Sequence, residues 1–456
     1  MLTKKDRLKS EFEMVLKVIE KYQPLINPYL EVPLHEYRRR QETVYKSLAA
    51  QDIDIGFVYS NEHYNGDVPY LGGNTNITIE PVAGIIGKKG FHIIAGLEGG
   101  YVAEQLAFRS GSKVHKVELL QLADEKYPIE AETVIDVIED ASGKNIREIK
   151  KIGILTPRQV IPAGIIDYLH DNFGSASIID AQEIYYKIKY EKSEIELKLI
   201  EQASIIADAT MRGMLAVLKP GMLETEVAAW GYFIQRELGA EESGFKVMVG
   251  ANEANRTLIG EALNRAIEDG DYVHLGVAPK RDGLNSCIRR SVIATDTPNN
   301  ITKEQKYWFD FIEDAYKVGL NAFIKVAEEN LPAKYQEQAL VNFYKSKSKE
   351  VSEKIGKKIN LEDLKPYTGT HNSGYTECQE FYGAITLDSE ESLGNNIVMM
   401  LDVALRGIGD KWDDVIIPNF DYIVIENTLI KRGKKVEVLT KLPLNCQKFV
   451  GNIKDI

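Results

Sequence analysis

The sequence predicts an α/β protein built from two domains. Three observations carry that expectation. At 456 residues the chain is too long for one ordinary hydrophobic core. From Ile53 onward short β-like runs alternate with helical stretches, the pattern of an α/β layer. A sharply capped helix beginning at Ser193, after the polar link at residues 186–192, then opens a second region.

Taken in order, residues 8 to about 50 read as helical and polar, with Tyr37, Arg38, Arg39 and Arg40 on an exposed face. Strands are expected over Ile55–Tyr59, Ile77–Ile86 and Phe91–Ala95, then helices over Tyr101–Arg109 and Ala131–Ala141. A strand at Lys151–Leu155, a helix near Ile161–Phe173 and a short strand at Ala176–Asp180 complete a domain spanning residues 1–185. The second domain spans 186–456. Its first helix has a capping box, Ser193 with Glu196, and buries Leu199, Ala203, Ile206, Thr210 and Met214 at helical spacing before Pro220-Gly221 stops it.

A helix at Thr225–Leu238 follows, and then a hairpin that turns at Asp282-Gly283. It carries His274 on the outward strand and Cys287 on the return, with Arg289 and Arg290 beside the thiol, so two reactive side chains are expected side by side. A helix at Lys303–Ala327 precedes a Lys-rich helical insertion near 332–365, expected to lie on the surface. Three further β runs lie around Thr368–Gly374, Asn396–Leu405 and Phe420–Asn427. No internal repeat stands out.

Hydrophobic residues at 44% and charged residues at 27% are those of a soluble globular protein. A net charge of −12 argues against nucleic acid, which calls for a basic stripe. Neither a membrane span nor a secretory leader is expected. The cysteines Cys287, Cys378 and Cys446 are odd in number and irregularly spaced, so a cytoplasmic, disulfide-free protein is expected.

Asp402 interrupts an apolar strand, where an unpartnered carboxylate is costly, so it must be paired, protonated or metal-bound. Asp421 stands at a strand start, a place where a turn aspartate is common. His371 lies in a glycine-flanked loop, and Glu377 and Glu380 follow within nine residues as candidate acid or base groups. Arg256, Arg289 and Arg290 offer guanidinium forks for a substrate carboxylate, or for Asp402 or Asp421.

The succession of these motifs resembles the creatinase, prolidase, Xaa-Pro aminopeptidase and methionine aminopeptidase family. The resemblance rests on Lys192–Glu196 with its helix, on Lys219–Glu224 and on Tyr70–Gly73. It implies a small creatinase-like α/β domain followed by a pita-bread catalytic domain, and a homodimer. In that family's metallopeptidases Asp, Asp, His, Glu and Glu hold two metal ions. The matching positions here are His274, Cys287, His371, Asp402 and Asp421. No histidine follows Gly250-Ala251-Asn252, where the family places a proton shuttle.

One kept ligand type in five argues against the usual two-metal site. The resemblance therefore implies a hydrolase cleaving a C–N bond in a small-molecule or dipeptide-like substrate. It would use one transition metal (zinc, iron or manganese) or none, with His371 or His274 as acid/base and Glu377 or Glu380 orienting the substrate. The alternative from another class is a binding scaffold that has lost catalysis.

Overall fold

The computed structural model describes residues 3–122, 131–174, 177–297 and 301–453, and these fall into two compact units. The first comprises residues 31–191 with 379–381; the second comprises 1–30, 192–378 and 382–456. The sequence boundary at 185 thus moves to 191, and the first thirty residues group with the second unit.

Helix α1 (Lys4–Tyr22) therefore belongs to the second unit, where Val15, Val18 and Ile19 pack with Ile206, Ala209, Val217 and Ile234. The helical stretch read over residues 8 to about 50 consists of two helices: α2 spans Leu34–Ala49, and Pro24, Pro28 and Pro33 lie between it and α1. The exposed face assigned to Tyr37–Arg40 is half wrong. Arg38 and Arg39 are exposed, but Tyr37 and Arg40 are fully buried, with Arg40 bonded to Glu36 and to the Tyr70 carbonyl.

The first unit continues with β1 (Ile55–Ser60), α3 (Asp67–Gly72), β2 (Val82–Gly87), β3 (Gly90–Ala95), α4 (Gly99–Ala107), β4 (Lys113–Lys116) and α5 (Val134–Ser142). Then come β5 (Ile152–Ile154), α6 (Ala163–Phe173), β6 (Ile178–Asp180) and α7 (Gln182–Tyr190). The strand expected from Ile77 starts only at Val82, and Ile79 has a left-handed φ of 64°. Ala176, in the strand expected at 176–180, lies outside the described residues. The strands form one mixed sheet in the order β4-β3-β2-β1-β5-β6. Its core joins Ile55, Phe57, Ile85 and Ile94 to Val137 and Ile138 of α5 and Ile165 and Leu169 of α6.

In the second unit α8 (Glu194–Val217) starts as predicted, with the Ser193 amide donating to Glu196 Oε2 at 2.8 Å. After α9 (Glu224–Glu237) come β7 (Glu242–Ser243), β8 (Met248–Ala251), β9 (Tyr272–Val277), β10 (Pro279–Arg281), β11 (Leu284–Asn285) and β12 (Ile288–Ile293). The chain ends with α10 (Lys303–Glu329), α11 (Lys334–Ile355), β13 (Thr370–Asn372), β14 (Asn396–Arg406), β15 (Tyr422–Arg432) and β16 (Lys435–Val438). The hairpin turn is where it was predicted. Lys280 pairs with Asn285 and Arg281 with Leu284, and Asp282 and Gly283 both take positive φ, the backbone a two-residue hairpin turn demands.

One antiparallel sheet, β13-β14-β15-β12-β9-β8 with β16 on β15, carries the candidate site. Helix α11 is not a purely solvated face. Leu340 and Tyr344 are buried, and Tyr344 donates to the Ala404 carbonyl at 2.7 Å. Its Glu337 takes the Gly369 amide at 3.0 Å and pairs with Lys365 at 2.6 Å, which fixes the strand that leads to His371.

Candidate active site

Strand pairing puts four residues in one row across the sheet: Gly276 of β9 faces Arg289 of β12, Arg289 faces Glu426 of β15, and Glu426 faces Asp402 of β14. Directly paired residues share a face, so their side chains meet on one side of the sheet. The opposite side is apolar, with Val273, Leu275, Val277, Ile288 and Val292 in one core cluster. His371, on β13, pairs with Met400 two positions along from Asp402 and reaches the same row.

The row is tightly wired. His371 Nε2 lies 3.4 Å from Glu426 Oε1, and His371 Nδ1 lies 3.1 Å from the Asn372 carbonyl. Both ring nitrogens thus face acceptors, the arrangement that suits a protonated imidazole. Arg289 sits among the carboxylates: its Nη1 is 3.2 Å from Asp402 Oδ2 and its Nε 3.9 Å from Glu426 Oε2. Arg289 also donates to the Tyr422 hydroxyl at 2.8 Å, to the Tyr367 hydroxyl at 3.2 Å and to the Leu258 carbonyl. Tyr367 in turn donates to Asp402 Oδ1 at 3.0 Å.

Burial sets the protonation of this cluster. Glu377 is pushed up to about 7 by desolvation, against the pull of His371. Desolvation and the charge of Glu426 raise Asp402 to about 6, with Arg289 and His371 opposing. Burial also works against charge on Glu426, but the hydrogen bond and charge of His371, together with Arg289, outweigh it and hold Glu426 below its ordinary value. His371 is affected in reverse: burial disfavours its charge, yet hydrogen bonds to Cys378 and Glu426 raise it well above an ordinary histidine.

The structure redistributes the residues singled out in the sequence. His371 and Asp402 come together as expected, but their carboxylate partner is Glu426. Asp421 is instead ion-paired to Arg256 at 2.6 Å, and Arg256 lies over the Trp412 ring. Arg256 is therefore committed to structure. So is Arg290, which is fully buried and donates to the carbonyls of Pro443, Arg289, Glu426 and Leu442 and to Asn427 Oδ1.

His274 and Cys287 are not side by side. His274 faces Ser291 and Ile288 faces Val277, which leaves Cys287 several residues along. His274 is completely buried, bonded through Nδ1 to Asn255 Oδ1 at 2.9 Å, and desolvation with the charge of Arg289 lowers it to about 3. A neutral histidine locked this way is part of the wall. Cys287 is also fully buried, and desolvation with the charge of Glu426 pushes its thiol well above its ordinary value.

Glu377 is half-buried and accepts from Asn285 Nδ2 at 3.1 Å. Glu380 falls with residues 379–381 in the first unit. Glu426 is the functional candidate that the sequence reading missed. Its signal was akin to the one that marked Asp402, a carboxylate directly after the apolar run Ile423-Val424-Ile425 and within the same strand.

Residues 198–367 match metallopeptidase family M24. Over that segment the chain is similar to the metallopeptidases of the creatinase/prolidase family. It is 26% identical over 246 residues to an uncharacterized peptidase of Bacillus subtilis, which covers 54% of this chain and 65% of that protein. It is 27% identical over 222 residues to an Xaa-Pro dipeptidase of Pyrococcus horikoshii, covering 48% and 60%. The matched stretches thus span a little under two thirds of these relatives.

Among solved structures, an Xaa-Pro dipeptidase from Bacillus anthracis superimposes with a TM-score of 0.65 at 19% identity, over 90% of this chain and 99% of that one. An X-Pro aminopeptidase from Thermotoga maritima gives 0.67 at 17% identity, over 89% and 98%. The chain has the family's pita-bread fold.

The family binds metals, and His371, Asp402 and Glu426 do bring one donor atom each within 4.8 Å of one another. The surroundings do not suit a two-metal centre. A bridged pair of dications needs several carboxylates, and this row has two, both engaged by a guanidinium that never gives up its charge. Opposite Arg289 stands Gly276, where a Cβ would come within 3.1 Å of Arg289 Cγ. The bare glycine and the arginine fit each other.

Proposed function

We propose that the chain is a hydrolase that cleaves a C–N bond in a small peptide or amide-like substrate without a resident metal. The observation that carries this reading is Arg289, whose guanidinium supplies the positive charge facing Asp402 and Glu426. With His371 charged, two cations meet two carboxylates and the buried row balances its own charge.

The residues divide the work as follows. Glu377, poised near neutrality, takes a proton from the attacking water as its oxygen bonds to the substrate carbonyl carbon. His371 gives a proton to the departing nitrogen as the C–N bond breaks. Glu426 orients the imidazole and holds it charged, and Arg289, tied to Tyr367 and Tyr422, fixes both carboxylates. Arg289 is a positioning residue in this scheme. The relatives named as Xaa-Pro dipeptidases make Xaa-Pro dipeptides the first substrates to try, followed by small amides and guanidino compounds.

The test is turnover of these substrates by chelator-treated protein. Activity should persist in chelator and follow a bell-shaped pH profile. Its acid limb should lie near pH 7, where Glu377 must be unprotonated, and its alkaline limb higher, where His371 must keep its proton. Glu377→Gln should remove the acid limb, and Arg289→Leu should lower kcat by about 100-fold, the usual scale for one preorganised charge. Activity that vanishes in chelator and returns with manganese or zinc would overturn the metal-free reading.

A further inference from the structure

The first unit holds a second cluster that the hydrolytic site does not use. His92 of β3 and His115 of β4 are both buried, at 2% and 5% exposure, and their rings stack with centroids 5.2 Å apart. His92 Nδ1 lies 2.9 Å from His115 Nε2. Asp140 Oδ2, from α5, lies 3.6 Å from the former and 3.9 Å from the latter. The other nitrogen of His115, Nδ1, lies 2.8 Å from Glu132 Oε2.

From this geometry we infer that His92, His115 and Asp140 form a binding site for a transition-metal dication of the zinc class. A proton on His115 Nδ1, held by Glu132, leaves Nε2 as a bare lone pair aimed at His92 and Asp140. A carboxylate behind a ligating histidine is the partner that fixes tautomer and ring orientation at metal centres. Tetrahedral zinc, with bonds of about 2.0–2.1 Å, sets its ligand atoms roughly 3.3 Å apart, and the three separations here bracket that value. Two imidazoles and a carboxylate are also the donor set of a borderline metal.

The Asp140 side chain is 42% exposed, so the fourth position opens toward solvent. Lys113, whose ammonium lies 2.8 Å from Asp140 Oδ2, is 63% exposed and free to swing away. It competes with the metal. The ion would tie the edge strand β4 to β3 and to α5, clamping one border of the sheet.

Titration of the metal-stripped full chain with zinc tests this, read by calorimetry and by the thermal midpoint. One equivalent should bind and raise the midpoint. His92→Ala or His115→Ala should abolish that, and Asp140→Asn should weaken it at least tenfold. Lys113→Met should tighten binding, while His371→Gln leaves it unchanged. Asp140 and Lys113 are exposed enough that their substitution keeps the fold. Absence of zinc binding in the unaltered chain, or its loss only in His371→Gln, would overturn the inference. A histidine pair merely sharing a proton gives the first of those results. The first outcome leaves the hydrolytic site untouched; the second would place zinc at His371 and count against the metal-free reading as well, whose own test is activity in chelator.

Discussion

His274 shows how far a side chain's chemistry depends on where it is buried. In the sequence it was a candidate ligand and base; in the fold it is sealed in the sheet, with Nε2 lacking a partner and Nδ1 tied to Asn255. Its folded value of about 3 lies below that of an ordinary histidine, so the unfolded chain binds the proton first as pH falls. The resulting stability is complete above about pH 6.5 and is lost as pH falls toward 3, at about 1.4 kcal/mol per pH unit. Denaturant unfolding of His274→Asn against the unaltered protein should show a shallower acid decline in the variant. Equal slopes would mean that the imidazole stays charged in the fold. Asp421 and Glu426 make the complementary point. Both are acidic and five residues apart, and what separates them is that Arg256 claims one while strand pairing delivers the other to Asp402 and His371.

At the scale of the element, β9 and β12 decide how the site is equipped. Their pairing sets Gly276 opposite Arg289, and the missing side chain leaves room for the guanidinium stem. Gly276→Val would bring a branched carbon into the space beside Arg289 Cγ and Met248 Sδ, 3.1 and 3.3 Å from the new Cβ. The strand itself tolerates valine, so the expected result is a kcat/KM at least about tenfold lower, some 1.4 kcal/mol, with the far-ultraviolet spectrum unchanged. Undiminished activity would show that β9 does not constrain Arg289. Helix α11 corrects a reading based on composition alone. Its lysines face water, while Leu340, Tyr344 and Glu337 turn inward and secure the approach to β13.

At the scale of the whole molecule, each unit has its own sheet and core, and the first thirty residues complete the second unit. Trp230 Nε1 donates to Glu11 at 2.9 Å, and Arg7 pairs with Glu226 at 2.5 Å, so α1 is held by polar bonds as well as by its apolar stripe. No helix among the described residues is long and apolar enough to cross a membrane. The family resemblance implies a homodimer, and we propose that state in solution. Sedimentation velocity at micromolar concentration should report twice the mass of one chain; a single-chain mass at every concentration would count against it.

The sequence by itself carried the family resemblance, the two-region organisation, the capping of α8, the Asp282-Gly283 turn and the choice of His371 and Asp402 as candidates, which the fold brings together. These features are local. Periodicity, capping residues and turn chemistry act over a few neighbours, and each leaves its mark in consecutive letters. The tertiary structure decided which carboxylate joins His371, that Arg289 stands among the acids, that His274 is walled in, and that His92 and His115 meet Asp140. Those outcomes follow from strand register and helix docking. A shift of one residue in pairing sends a side chain to the opposite face, and no short-range pattern in the chain fixes that choice.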